Sequence, residues 1–184
     1  MTGKGRHPVL GVRSPDMILS VVAPIGLAAA AGTALVVDLA AEMAATTTRS
    51  LADIRADGPT LAEISPGRGG VALIAGGGTD RAETTELVKR LSSRWPAIVV
   101  RVDGDGWDFP VVPVFPLFGG RLAPVPRGLT GVWQPVGTGG SPPGPGPVLP
   151  RLRTGSLRRM LEGHLPRRSG WVAAWAPVWE MPWA

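Results

Sequence analysis

Apolar runs without strict alternation recur along the first two thirds of the chain, and helical patterns separate them. Residues 18–23 and 34–39 predict two buried strands, with a short helix over 27–31 between them and Gly32 as its C-cap. The stretch "GVALIAGGG" predicts a strand that runs into a glycine turn, and "AIVVRVDG" predicts another strand. Non-alternating strands of this kind are typical of a sheet that is buried on both faces.

Helix signals lie between these strands. "TTTRSLADI" offers hydroxyl caps for a helix near residues 50–55, and Thr60 with Glu63 predicts a capping box. Thr79 or Asp80 is expected to cap the amphipathic helix of "TDRAETTELVKRLSSRW". The prolines of residues 109–118 predict an edge strand or an extended segment.

The order of these elements predicts an α/β fold: a mostly parallel sheet with helices on both faces, of the P-loop or Rossmann-like kind. Ligands of such sheets bind beyond the carboxyl ends of the strands. Those ends are expected at the "APIG" turn, at Asp38, at the "AGGG" turn and at the "VDGDG" turn.

The chain divides by composition into four parts. Residues 1–16 are expected to form a flexible arm, 17–134 the α/β domain, 135–150 a proline- and glycine-rich linker, and 151–184 a basic, tryptophan-rich tail. From residue 121 onward eight arginines face two glutamates, a charge of +6, which leaves −1 for residues 1–120 out of the total of +5. Such a tail fits nucleic acid, anionic lipid or an acidic partner, although arginine in place of lysine is also typical of a GC-rich genome.

Residues 17–37 form an uncharged run that is long enough to be a transmembrane candidate. Pro24, Gly26 and the alanine-rich centre favour the alternative, in which a strand, a short helix and a second strand follow one another inside a cytoplasmic protein. The absence of cysteine excludes disulfides and cysteine nucleophiles, and two histidines disfavour a histidine-rich metal site. No catalytic residue and no metal site is predicted.

The stretch 17–120 combines a strand that ends in Asp38, a glycine turn and the segment "LVKRLSSRWPAIVVRVDG". In these features it resembles the ParA/MinD family of deviant P-loop ATPases, especially the degenerate CpaE/TadZ-like relatives. In this resemblance "ILSVVAPIG" takes the place of the first strand and turn. An active member of the family needs a lysine that holds the phosphates and a hydroxyl that holds magnesium. The segment "APIGLAAAAGT" has no lysine and one hydroxyl, that of Thr33, so the resemblance implies a pseudo-ATPase that uses neither ATP nor magnesium.

The resemblance leaves four candidate cofactor-binding residues: Gly26, Thr33, Asp38 and Asp103. It also implies a scaffold or regulatory protein in septum placement or in pilus or secretion assembly, with a protein partner and a peripheral contact with the inner face of the membrane. A nucleotide-binding enzyme with an altered phosphate loop is an alternative.

Tryptophans recur every fourth residue in the tail, and two prolines interrupt them. Tryptophan suits a partner's pocket, a lipid interface or a buried edge, so the tail is either a contact surface or a cover on its own domain. A further alternative is nucleic-acid binding, in which arginines contact phosphates and tryptophans stack on bases. The candidate contact residues are Arg158, Arg159, Arg167, Arg168, Trp171, Trp175, Trp179 and Trp183.

Overall fold

The computed structural model describes residues 8–40, 49–60, 70–118, 128–137, 140–162, 164 and 169–183. Within this part of the chain, six parallel strands form one sheet in the order β3-β2-β4-β1-β5-β6. The strands are β1 (Val9–Arg13), β2 (Thr33–Asp38), β3 (Gly70–Ala75), β4 (Ile98–Arg101), β5 (Val111–Phe118) and β6 (Val132–Val136). The helices are α1 (Met17–Ala31), α2 (Leu51–Asp57), α3 (Arg81–Ser92), α4 (Thr154–Leu161) and α5 (Gly170–Ala173), followed by a 3-10 helix (Ala176–Glu180).

The sheet separates two apolar clusters. On one face α1, α4, α5 and the 3-10 helix pack on side chains such as Leu10, Val36 and Val99. On the other face α2 and α3 cover side chains such as Val37 and Val100. The predicted α/β fold, with a parallel sheet between helices of the Rossmann or P-loop-like kind, is confirmed.

The prediction that residues 1–16 form a flexible arm is wrong for the part that the structure describes. β1 lies inside the sheet, paired with β4 on one side and with β5 on the other. Three of its five residues are buried, and Gly11 accommodates the ring of Phe109, which lies 3.1 Å from where a Cβ would stand. The strand is short and has a glycine at its centre, so its hydrophobic signal is weak.

The predicted strand over residues 18–23 is also wrong, because these residues belong to α1. Asp16 caps this helix by accepting a hydrogen bond from the Leu19 N–H (2.8 Å), and Gly32 ends it at φ +83°. Pro24 lies inside the helix and has no N–H, so one intrahelical hydrogen bond is missing there. In the part of the chain that the structure covers, no helix combines the length and the hydropathy that a bilayer crossing requires.

The predicted strand over 34–39 and the strands of "GVALIAGGG" and "AIVVRVDG" are confirmed as β2, β3 and β4. Both helices between them are capped as expected, α2 by Ser50 and α3 by Asp80, each in a full capping box. Thr60 is described, but Glu63 lies outside the described residues, and so does the capping box predicted for this pair.

β5 lies within the sheet, not at its edge. Its residues 111–113 pair with β1, whereas residues 114–118 pair with β6. Each half of the strand is therefore paired on one side only, which accommodates Pro113 and Pro116 despite their missing N–H groups.

The predicted linker, 135–150, begins inside β6, whose last two residues are Pro135 and Val136, so its predicted start is wrong. Its residues 140–150 pack along β6 and cover the edge of the sheet. The Trp133 N–H donates to the Pro147 carbonyl (2.9 Å), and the Leu149 N–H donates to the Trp133 carbonyl (2.8 Å). A Cβ on Gly146 would overlap the Gly131 carbonyl, so a glycine is required there. A strand edge covered in this way offers few free backbone groups to another chain.

Candidate functional site: the carboxyl edge of the sheet

β1 and β4 are neighbouring strands, and the chain continues from them towards opposite sides of the sheet. After β1 the chain passes through α1 to β2 on one side of the pair, and after β4 it continues to β5 on the other side. A crevice between two such strands, at their carboxyl ends, is where open α/β sheets place their ligands. The turns that follow Arg13 and Arg101 therefore define the candidate site.

The turn between β1 and α1 consists of Ser14, Pro15 and Asp16. The Asp16 carboxylate accepts the Leu19 N–H, and the Asp16 N–H donates to the Ser14 hydroxyl (3.2 Å). A phosphate at a helix N-terminus needs free N–H groups and the positive end of the helix dipole. Here a carboxylate of the same chain occupies that position and adds a negative charge.

Asp38, at the end of β2, is fully buried beneath this edge. Its Oδ1 accepts hydrogen bonds from Arg101 Nη1 (3.2 Å) and from the Ala40 N–H (3.1 Å). Arg101 Nη2 donates to the Ser20 hydroxyl of α1 (3.0 Å), so the buried ion pair joins β2, β4 and α1. Asp38, one of the candidate cofactor-binding residues, therefore has an arginine of its own chain as its ion-pair partner.

A cleft of about 340 Å³ opens at the ends of β1 and β4. Arg13 lies in it and forms an ion pair of 2.5 Å with Asp105. The predicted residue Asp103 also lines this cleft. The other lining residues are Ser14, Pro15, Val102, Gly104, Pro113, Phe115 and Leu129.

The two remaining predicted cofactor residues lie away from the cleft. Gly26 is buried inside α1, and a Cβ there would overlap the Trp171 ring. Thr33 begins β2 at the opposite, amino edge of the sheet. The predicted turn at "APIG" is wrong, because this segment is helical, and Gly26 and Thr33 therefore do not lie at the carboxyl edge of the sheet.

The glycine turn after β3 forms a separate feature at the sheet margin. Gly77 and Gly78 adopt positive φ values of 70° and 78°, and the Thr79 hydroxyl donates to the Gly76 carbonyl (3.1 Å). Asp80 caps the helix that follows. Among the residues that the structure describes, no group of three or more histidine, aspartate or glutamate side chains could hold a metal ion.

The tail tryptophans are buried, with exposed fractions of 5% for Trp171, 0% for Trp175, 2% for Trp179 and 8% for Trp183. Trp179 Nε1 donates to the Leu27 carbonyl of α1 (3.0 Å), and Trp171 Nε1 donates to Gln134 Oε1 of β6 (2.6 Å). Of the two roles expected for the tail, the structure therefore shows the cover on its own domain. Rings in this position offer no surface for partner contact, lipid insertion or base stacking.

The basic residues of the tail have a different environment. Arg158 and Arg159 are exposed on α4, and Arg158 pairs with Glu162 one turn later (2.8 Å). Arg167 and Arg168 lie outside the described residues. Two of the predicted cationic contact residues are therefore exposed on α4, whereas the predicted aromatic contact residues are buried.

Three residues of this edge were not among the predicted site residues: Arg13, Asp16 and Arg101. The triplet Ser14-Pro15-Asp16 before an apolar run is an N-cap signal, and it indicates both the start of α1 and a strand before it. The Asp38–Arg101 pair spans 63 positions and leaves no comparable local signal.

No family model, no curated protein and no solved structure matches this chain.

Proposed function

We propose that this chain is a non-catalytic scaffold or regulatory protein with a ParA/MinD-like α/β fold, which acts in the cytoplasm through contacts with proteins. The observation that carries the proposal is the Asp16 carboxylate at the N-terminus of α1, where a phosphate would have to bind. The Arg101–Asp38 pair supports it, because the acidic residue at the end of β2 is bound within the chain.

The position of the tryptophans disfavours a membrane contact through the tail, since rings that are buried against α1 cannot insert into lipid. A role in septum placement or in pilus or secretion assembly follows from the family resemblance alone. Arginines on α4 and acids at the carboxyl edge remain as exposed charged groups through which a partner is recognised.

Thermal unfolding with ATP, GTP or NAD in the presence of Mg²⁺ tests the proposal. A ligand at one hundred times its Kd stabilises a protein by about 2.7 kcal/mol, and we expect no such increase in Tm for the natural sequence. Clear stabilisation by any of the three nucleotides would overturn the proposal.

A pair of variants isolates the contribution of Asp16. Asp16→Ala removes the carboxylate from the edge, whereas Asp80→Ala removes an equivalent cap from α3 at another place. Each loses about 0.5–2 kcal/mol of stability with its cap. We expect added phosphate to stabilise Asp16→Ala more than Asp80→Ala, because only the former frees N–H groups at the candidate site.

A further inference from the structure

We propose that copies of this chain associate with one another, with the basic end of α4 in one copy docked on the carboxyl-edge cleft of the next. The inference goes beyond the proposed function, and each can fail without the other. Nucleotide binding would overturn the proposed function only, and a strictly monomeric chain would overturn the association only.

The receiving surface, here called the cleft surface, combines exposed apolar side chains with acids. Three large apolar side chains are exposed in this region: Met17 is 75% exposed, Ile18 48% and Leu129 41%. The first two open α1 directly after Asp16, the neighbour of the cleft residue Pro15, and Leu129 lines the cleft itself.

The charges of the cleft surface favour a cationic occupant. Asp103 and Asp105 are both exposed there, and Arg13 compensates one of the two carboxylates through its ion pair with Asp105. Asp16 adds another acid at the start of α1. A basic side chain that approaches this edge gains attraction, whereas an anionic lipid surface is repelled.

The docking surface, here called the α4 surface, has the complementary chemistry. Leu161 ends α4 and is 55% exposed, and the exposed residues Arg158 and Arg159 lie within the preceding turn. Arg151 and Arg153 are exposed just before the helix. One apolar side chain surrounded by arginines matches a cleft with apolar walls and an acidic rim.

The charge distribution of the whole chain follows the same division, with +6 from residue 121 onward and −1 before it. Because the cleft surface and the α4 surface are different parts of the chain, the contact is heterologous. A heterologous contact leaves a free surface of each kind at the ends, so it gives rings or open chains.

Sedimentation velocity over a range of protein concentrations tests the inference on the full chain. We expect species larger than a dimer at low salt, and weaker association as the salt concentration rises, because exposed charges are screened. A chain that stays monomeric at about 100 μM and low ionic strength, where electrostatic attraction is strongest, contradicts the proposal.

Three single substitutions that introduce a charge localise the contact, all at exposed apolar positions where folding tolerates the change. Met17→Lys alters the cleft surface with a charge that repels the arginines of α4, and Leu161→Glu alters the α4 surface with a charge that repels the acids of the cleft. Val148→Glu is the control at a position of similar exposure (48%) outside both surfaces. We expect the first two to weaken association at least tenfold and the control to leave it unchanged. Equal effects of all three, or no effect of either surface variant, would overturn the assignment of these surfaces.

Mixing the two surface variants tests the heterologous arrangement. Each variant retains one intact surface, so an equimolar mixture of Met17→Lys and Leu161→Glu is expected to form dimers and nothing larger. A mixture that behaves like the separate variants rules out the head-to-tail contact.

Discussion

Gly26 shows how one missing side chain determines the packing of the tail. The Trp171 ring occupies the space of a Cβ at this position, and Trp175 Nε1 would lie 2.7 Å from it. We expect Gly26→Ala to destabilise the fold by about 1–3 kcal/mol, because neither the helix nor the indoles can move apart without losing contacts. Chemical denaturation followed by circular dichroism measures the change.

Gly155→Ala is the matched control for this substitution. Gly155 also lies in a helix, but a Cβ there has no atom within 4 Å. The control is expected to gain up to about 1 kcal/mol through helix propensity. If Gly26→Ala gains as much as Gly155→Ala, the close approach of the tryptophans to α1 is wrong.

At the scale of the element, α2 depends on a capping box that titrates. The pKa of Asp53 is lowered, first by its hydrogen bond with the Ser50 backbone N–H and then by that with the Ser50 hydroxyl. A carboxyl group with a depressed pKa in the folded state contributes stability above its ordinary pKa of about 3.9, and this contribution is lost as pH falls through the folded value.

We therefore expect NMR titration of the Asp53 carboxyl to show a midpoint below its ordinary value. Ser50→Ala removes the hydroxyl and should return the midpoint part of the way, since the backbone hydrogen bond remains. Ser92→Ala, in which the lost hydroxyl bonds to the Lys89 carbonyl in α3, should leave the Asp53 midpoint unchanged. An unshifted midpoint in the natural sequence would show that the capping box is not formed.

How far the sequence predicts an element depends on how many of its faces are buried. α3 has an apolar stripe and a charged face, and β2 to β4 are buried apolar runs, so periodicity and caps identified them. α1 is covered by the sheet on one side and by the tail on the other, which leaves it apolar all round and without a helical period. Its residues 18–23 are then indistinguishable from a buried strand.

The candidate site was predicted less well than the fold, for the same reason. If residues 18–23 are predicted as a strand, residues 14–16 are assigned to the flexible arm. The phosphate loop is then expected at "APIG", which lies inside α1. Asp38 and Asp103 were placed correctly at strand ends because they follow β2 and β4. The ion pair of Asp38 with Arg101 and the neighbours of Asp103 in the cleft depend on the strand order, which local sequence patterns do not determine.

At the scale of the whole molecule, the tail covers α1 and so places this helix inside the fold. Its tryptophans and Val178 join α1 and one face of the sheet in a single apolar cluster. A tryptophan buries about 150–250 Å² in such a position, and its removal from a core costs about 3–5 kcal/mol. Because a domain of this kind is stable by only about 5–15 kcal/mol, the loss of several such residues exceeds what the fold can tolerate.

Deletion of residues 170–184 is therefore expected to abolish cooperative thermal unfolding measured by far-ultraviolet circular dichroism. A detachable tail predicts the opposite, a truncated chain with the Tm of the full one. Trp175→Phe is the milder companion variant, which retains an aromatic ring and should unfold cooperatively at a lower temperature.

In the full chain, circular dichroism and tryptophan emission should give the same midpoint, since the indoles and the sheet belong to one core. Separate midpoints would mean that the tail opens before the sheet does, and the surfaces on α4 and at the carboxyl edge would then change independently.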